Sequence, residues 1–436
     1  MQKTVILLVA AASLAAARII YVPDSVSTVQ AGIMQAADGD TVLLAPGTYT
    51  ETVNLLGKRI TLGSQFILTG DTSAIRATAI DANRVGTVVK CCSTENTTTN
   101  IIGLTLRNGY DTNGSGIFCR GGSPTIRYNI IEDNQTEADG AGIMVTNEAA
   151  PIIEYNIIRR NTTPAWGGGI YIFDGSSPLV RRNVIYNNGS LAQVPLRSSK
   201  PAFVAGRLVG RDEPIYQLAT AGGGILVTNY QGLVTRPVIH HNTIYGNRVD
   251  LNGGGVFSNR AEPDIRNNIM TSNHGYGVYA MGTAVVCPYN DVWNNTTDYG
   301  GTASAGPGAI SADPLFVDSA GRDFHILPGS PCIDAGDPSL PKDPDSTRAD
   351  IGAFWCLAGG IVAPGSETPK PRLRVCPNPF TGGTTVRPEG LVLIRDAAGR
   401  LVETSNTGRF GMKLAPGVYF VEMSGYDRAR VVKLTR

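Results

Sequence analysis

Six residues of the 436-residue chain recur at matching points of a repeated segment: Phe118, Met144, Tyr171, Leu226, Phe257 and Tyr279. Four of the six are aromatic. Ring faces stacked in register along a strand can hold sugar rings through their C–H faces, and an uncovered ladder of this kind needs either a ligand or a covering loop. Tyr110, Trp166 and Tyr276 lie in loops that open the same segments, together with Asp111, Glu137, Asp139 and Asp250. Phe118, Tyr171, Phe257, Tyr279, Trp166 and Tyr110 are therefore the candidate carbohydrate-binding residues. Hydrolysis of a glycoside requires two carboxylates roughly 5–10 Å apart, for which Glu137 with Asp139, or Asp212 with Glu213, are the available pairs. A lyase would need a Lys or Arg base and calcium or cationic groups to neutralise a sugar carboxylate. No motif singles out either chemistry, so catalytic residues are not assigned.

Other chemical signals have bland readings. His240 and His241 are adjacent, and neighbouring side chains on a strand face opposite ways, so they make a weak metal pair. Asp334, Asp337, Asp343, Asp345 and Asp350 suggest calcium, but DPDSTRAD lacks the Gly and terminal Glu of an EF-hand loop. Turn-forming Asp explains them better, and no cofactor is expected. The row Arg127, Glu154, Arg181, His240 and Arg266 reads as a surface ion ladder worth about 0–1 kcal/mol per pair.

The elements that position these residues are repeats. Segments 124–134 (PTIRYNIIEDN), 151–161 (PIIEYNIIRRN) and 178–188 (PLVRRNVIYNN) each follow a glycine-rich opening, GSGIFC, GAGIMV or GGGIYI. The unit returns at 237–247, 263–273 and, more weakly, 285–295. A forerunner at 98–108 places Gly103 where the others have Asn. The first Asn of each unit falls at 129, 156, 183, 242, 268 and 290, so the steps are 27, 27, 59, 26 and 22. A period of this size signals a solenoid. Leucine-rich repeats would need Leu at fixed offsets; these units carry Ile and Val alternating with period two, with Gly.

Each unit therefore predicts one coil of a parallel β-helix with three short strands. Ile117/Cys119, Ile143/Val145, Ile170/Ile172 and Ile225/Val227 point inward on strand one. Strand two contributes Ile126, Ile153, Val180, Ile239 and Ile265, and strand three Ile131, Ile158, Ile185, Ile244 and Met270. Like residues then stack about 4.8 Å apart, and no coil buries its face alone. The Asn residues fall at bends, where an amide can donate to the next coil and accept from the previous one. The step of 59 leaves 190–221 as an insertion, expected as a protruding loop.

Composition agrees. A net charge of +1 with 17% charged residues gives no electrostatic case for nucleic acid, and 52 Gly with 42% hydrophobic residues suit an all-β solenoid. Residues 1–17 read as a signal peptide, with Lys3 before an apolar run and small residues before Arg18. No other run is long enough to span a bilayer. Seven cysteines are an odd number for an oxidising compartment, and Cys332 with Cys356 is a possible pair. A strand at RIIYVP, a helix over 27–37 with Ser27 as N-cap, and strands within 39–51 and 58–65 are expected to cap the solenoid.

The combination of GDTVLLAPGTYTE with the Gly-rich repeat resembles the secreted right-handed parallel β-helix proteins of the pectin-lyase-like superfamily, over residues 19–312. Segments 312–318 and 327–354 resemble the closing segment of choice-of-anchor Q proteins. After a Gly/Pro-rich linker at 358–371, PNPF, GRLV and GVYF resemble the C-terminal sorting domain of type IX secretion substrates. The implied plan is an all-β protein: signal peptide 1–17, β-helix 18–312 with its N-terminal helical cap, closing segment 313–357, linker, and a β-sandwich at 372–436. The resemblance implies a secreted or cell-surface protein that engages the secretion machinery. Three functions stay open: binding an extracellular polysaccharide or other polymer without catalysis, a polysaccharide lyase or glycoside hydrolase acting on an acidic polysaccharide, and a structural surface stalk.

Overall fold

A computed structural model describes residues 17–190, 221–229, 232–249 and 253–356, with the backbones of short strands within 196–215 and 374–433. The expected signal peptide, the linker, Asp212, Glu213 and Asp250 lie outside the described residues.

The repeats stack as predicted, and nine strands of parallel sheet form on each of three faces. Sheet one, the strand-one face, pairs Ile117 with Ile143, Ile143 with Ile170, Ile170 with Ile225 and Ile225 with Val256. Sheets two and three carry the other inward columns, and the predicted inward residues have no exposure. A short fourth sheet was not foreseen. It runs from Tyr110–Asn113 through Gln135–Asp139, Thr162–Thr163 and Gly189–Ser190 to Arg248–Val249. Its strands are too short and polar to give a hydrophobic period.

Two columns of asparagine brace the bends. Asn156 Nδ2 donates to Asn183 Oδ1 in the next coil, while its Oδ1 accepts from Asn129 in the previous one. The second column, Asn134–Asn161–Asn188–Asn247–Asn273–Asn295, ends where Asn295 donates to Asp298. The residue before each first-column Asn is left-handed: Tyr128, Tyr155, Arg182, His241, Asn267 and Tyr289 all have φ of 53–57°. That conformation is costly for non-glycine residues, and the amide column is what holds it. In the forerunner coil the register pairs Ile101 with Ile126. Gly103 therefore occupies this left-handed corner, and Leu104, not Gly103, stands at the Asn position.

Glycine in the openings is dictated by close coil approach. A Cβ at Gly169 would sit 2.4 Å from the carbonyl oxygen of Gly224 in the next coil.

The N-terminal helix spans Val29–Gln35 with Thr28 as its N-cap, one residue beyond the expected Ser27, because the Thr28 side chain accepts from Ala31 N. Val29 and Ile33 are buried over the first coil. Two short helices, Phe66–Thr69 and Ser73–Ala77, follow the strand Thr61–Ser64.

The 190–221 insertion leaves the coil path intact, since Ile185 pairs directly with Ile244 across it. Within it, Ala202–Val204 pairs antiparallel with Arg207–Val209 and lies against the fourth-sheet strands Tyr110–Asn113 and Gln135–Asp139. Beyond the linker, seven strands form a three-stranded and a four-stranded antiparallel sheet.

Residues 313–356 fold back along sheets two and three. Phe316–Asp318 and Asp323–Ile326 pair antiparallel, and the Phe324 ring packs 5.5 Å from Tyr186 and 4.9 Å from Tyr245. Arg182 binds Asp343 at 3.0 Å and lies over Trp355, while Arg266 binds Asp337 at 2.7 Å. The aspartates thus serve turns and ion pairs: Asp337 Oδ1 also accepts from Ser339, and Asp345 Oδ1 from Thr347. Cys332 and Cys356 are both free thiols.

Candidate functional site

Sheet one turns alternate side chains outward, and the predicted column exists in register. It runs Lys90, Phe118, Met144, Tyr171, Leu226, Phe257, Tyr279. Its middle is covered, contrary to the expectation of an exposed ladder. Tyr171 is 1% exposed and Phe257 3%, with Met144 and Leu226 equally shut off. Phe173 stacks on Tyr171 at 4.8 Å, Trp166 and Ala221 pack into the same cluster, and the Tyr171 hydroxyl lies 3.3 Å from Thr228 Oγ1. The opening glycines close over their own coils: a Cβ at Gly167 would stand 2.6 Å from Tyr171 Cβ. Tyr171 and Phe257 are thus a second, external hydrophobic core, because period two says which side a residue faces and not what covers that side.

Four predicted residues keep accessible surface. Tyr279 is half-buried at the far end, packed 5.4 Å from Phe257 and 4.8 Å from Tyr276. Phe118 and Tyr110 are half-buried near the head of the column, and Trp166 is half-buried beside its covered middle. There the fourth sheet meets sheet one, and polar groups gather beside the insertion.

Lys90, which sequence reasoning did not identify, stands in register with Phe118 and points to the same side. Its Nζ lies 3.4 Å from Asp111 Oδ2, which also accepts from Thr87 Oγ1 at 3.2 Å. Thr112 Oγ1 donates to Glu137 Oε2 at 3.3 Å. Arg84 lies over the Tyr110 ring at 5.3 Å and donates to Gln135 Oε1. Burial, and then the charge of Glu137, push the Tyr110 hydroxyl above its ordinary pKa, so it remains a protonated donor. The sequence signal for Lys90 was the pair VVKCC and GIFCR, which match at Cys91 and Cys119 once the earlier coil is recognised.

Of the carboxylate pair Glu137 and Asp139, one member is closed off from solvent. Asp139 has no exposure, and its Oδ1 accepts from the backbone N–H of Trp166 at 3.0 Å. His241 is buried at its left-handed corner against Asn267, and burial, with the charge of Arg182, pushes its pKa down to about 3. Its neighbour His240 pairs with Asp264 at 3.0 Å. Among the described residues, no group of three or more His, Cys, Asp or Glu side chains is arranged to hold a metal ion. No helix among them is long and apolar enough to cross a membrane.

At this corner, half-exposed rings lie beside two cations and two carboxylates, a combination that can receive a sugar face and its hydroxyl groups.

A family model described as right handed beta helix region matches residues 65–204. No curated protein matches the sequence. Among solved structures, the chain is similar to the crystal structure of pectate lyase Pel9A, at 16% sequence identity and a TM-score of 0.45, covering 79% of this chain and 97% of that one. With its coils stacked in register into parallel sheets, the chain has the architecture to which that family match points: a right-handed parallel β-helix.

Proposed function

We propose that this chain is an exported cell-surface protein that binds an extracellular polysaccharide, without catalysis, at the corner between sheet one and the fourth sheet. The observation carrying this reading is the grouping of half-exposed Tyr110 and Phe118 at the Lys90–Asp111 pair, beside the insertion, with half-exposed Trp166 on the same side two coils further on. Aromatic faces supply stacking, and the charged groups supply donors and acceptors for hydroxyls. Tyr279, at the other end of the covered cluster, extends the same face. The test is affinity electrophoresis of the full chain in gels containing candidate polysaccharides. Tyr110→Ala and Trp166→Ala should each weaken retention roughly tenfold, in line with the loss of a ring contact. Retention unchanged in both variants would remove the site.

A second reading, a polysaccharide lyase, is favoured by one feature: Lys90 and Asp111 converge beside the strand-one face. A lyase abstracts the proton next to a sugar carboxylate, the glycosidic C–O bond on the neighbouring carbon breaks with the oxygen leaving as a protonated hydroxyl, and a C=C bond remains in the product. Incubation with acidic polysaccharides, followed by ultraviolet detection of that product, separates the two readings, and Lys90→Ala should abolish any such activity. For export, the supporting features are the N-terminal residues 1–17 and the sorting-like motifs beyond residue 372.

A further inference from the structure

Directly beneath Lys90 and Phe118, on the inward side of the same two strands, stand Cys91 and Cys119. They are paired in register across adjacent coils and neither has any exposure. The next three coils fill this column position with aliphatic side chains, Val145, Ile172 and Val227. The neighbouring Cys119, together with burial, pushes the Cys91 thiol well above its ordinary range. Neighbouring strands lie about 4.8 Å apart, inside the range of roughly 4.4–6.8 Å between Cα atoms that a disulfide spans. Both residues are reduced in this structure.

We propose that Cys91 and Cys119 are a disulfide site that staples two consecutive coils under the Lys90–Phe118 corner when the chain folds in an oxidising compartment. The reaction is thiol–disulfide exchange. The Cys91 thiolate attacks a small-molecule disulfide such as oxidised glutathione and displaces one thiol. Cys119 then attacks the mixed disulfide and displaces the second, so two protein thiols are oxidised and one external disulfide is reduced to two thiols. Exchange takes place while the coils assemble, because the finished core excludes the oxidant. The closed loop spans one whole coil, which removes conformational freedom from the unfolded chain. Cys92 is the competing thiol. It is exposed, and its Sγ lies 3.8 Å from the Phe118 carbonyl oxygen and not against Cys119. The staple depends on the export reading for its oxidant and is independent of what the corner binds.

The experiment refolds the full chain in a glutathione redox buffer, unfolds it in denaturant that contains the alkylating agent, so that every free thiol is capped, and maps the remaining cysteines by mass spectrometry. The expected result is a Cys91–Cys119 cross-linked peptide that persists in Cys92→Ser. Reductant should lower the melting temperature of the wild-type chain by roughly 5 °C and leave that of Cys119→Val unmoved. Valine keeps the column aliphatic, as Val145 does one coil on, so this variant retains the fold. Free Cys91 and Cys119 in the unfolded, oxidised sample would overturn the proposal. A Cys92–Cys119 link in their place would do the same.

Discussion

Asn156 holds its bend with one amide. Its Nδ2 donates to Ile126 O and Asn183 Oδ1, and its Oδ1 accepts from the N and Nδ2 of Asn129. Asn156→Ala strands these partners in a buried bend and should cost about 1–3 kcal/mol; a denaturant midpoint unchanged from wild type would refute the structural role. Tyr171→Ala and Phe257→Ala belong to the covered cluster and should each cost about 3–5 kcal/mol, as read from the same denaturant curves. Retained stability would mean that the rings are open after all. The Asn columns and the inward aliphatic columns were legible because residue type and period two both recur. The cover over Tyr171 was not, since it comes from glycine loops and from Phe173, whose packing leaves no period. Nor was the left-handed corner, which Tyr, Arg, His and Asn occupy in turn.

At the scale of elements, the closing segment covers one buried carboxyl, Asp291 of the last coil, and contains another, Asp350, both with an unusual pH response. Asp291 accepts from Ala312 N and from Cys332 Sγ, and burial pushes its pKa up to about 6. Asp350 accepts from Asp334 N and Cys356 N, and burial likewise pushes it up to about 6. A raised carboxyl stabilises the fold most when protonated. Its contribution is complete below the ordinary value near 3.8 and is lost as pH rises through 6. Asp337 behaves oppositely: burial works to raise it, but Ser339 and Arg266 together hold it low, so its contribution fades only in stronger acid. Hydrogen exchange over 330–356, corrected for the intrinsic rate, should therefore show stronger protection at pH 5 than at pH 7.5. Asp291→Asn should reduce that difference and leave the part that Asp350 carries; equal protection at both pH values in the wild type would refute it. The sequence pointed to a turn role for aspartate at 334–350. It carried no sign of burial, because the Asp291 carboxylate meets its partners Ala312 and Cys332 21 and 41 positions further along the chain.

Over the whole molecule, the solenoid and the sheets beyond residue 372 answer different questions. Deleting residues 372–436 should leave the melting temperature of the β-helix unchanged and strand it in the periplasm, as checked by calorimetry and surface protease shaving. Normal surface levels of the truncated chain would sink the sorting role. The solenoid was legible because its repeats state the same pattern six times. The fourth sheet and the Lys90 corner were not, because each is assembled from segments that lack the pattern.

The fold-back of residues 313–356 has a mechanical consequence. Its contacts reach from Arg182, through Thr243 and Asn267, to the ring of Tyr289 beneath Arg348. Traction on the chain beyond Trp355 therefore does not reach the last coil alone. It enters the solenoid at several coils together, and these contacts must shear at once before any coil can peel away. A tether attached on this side would load the coils from Arg182 onward and leave the Lys90–Phe118 pair, on earlier coils, outside these contacts.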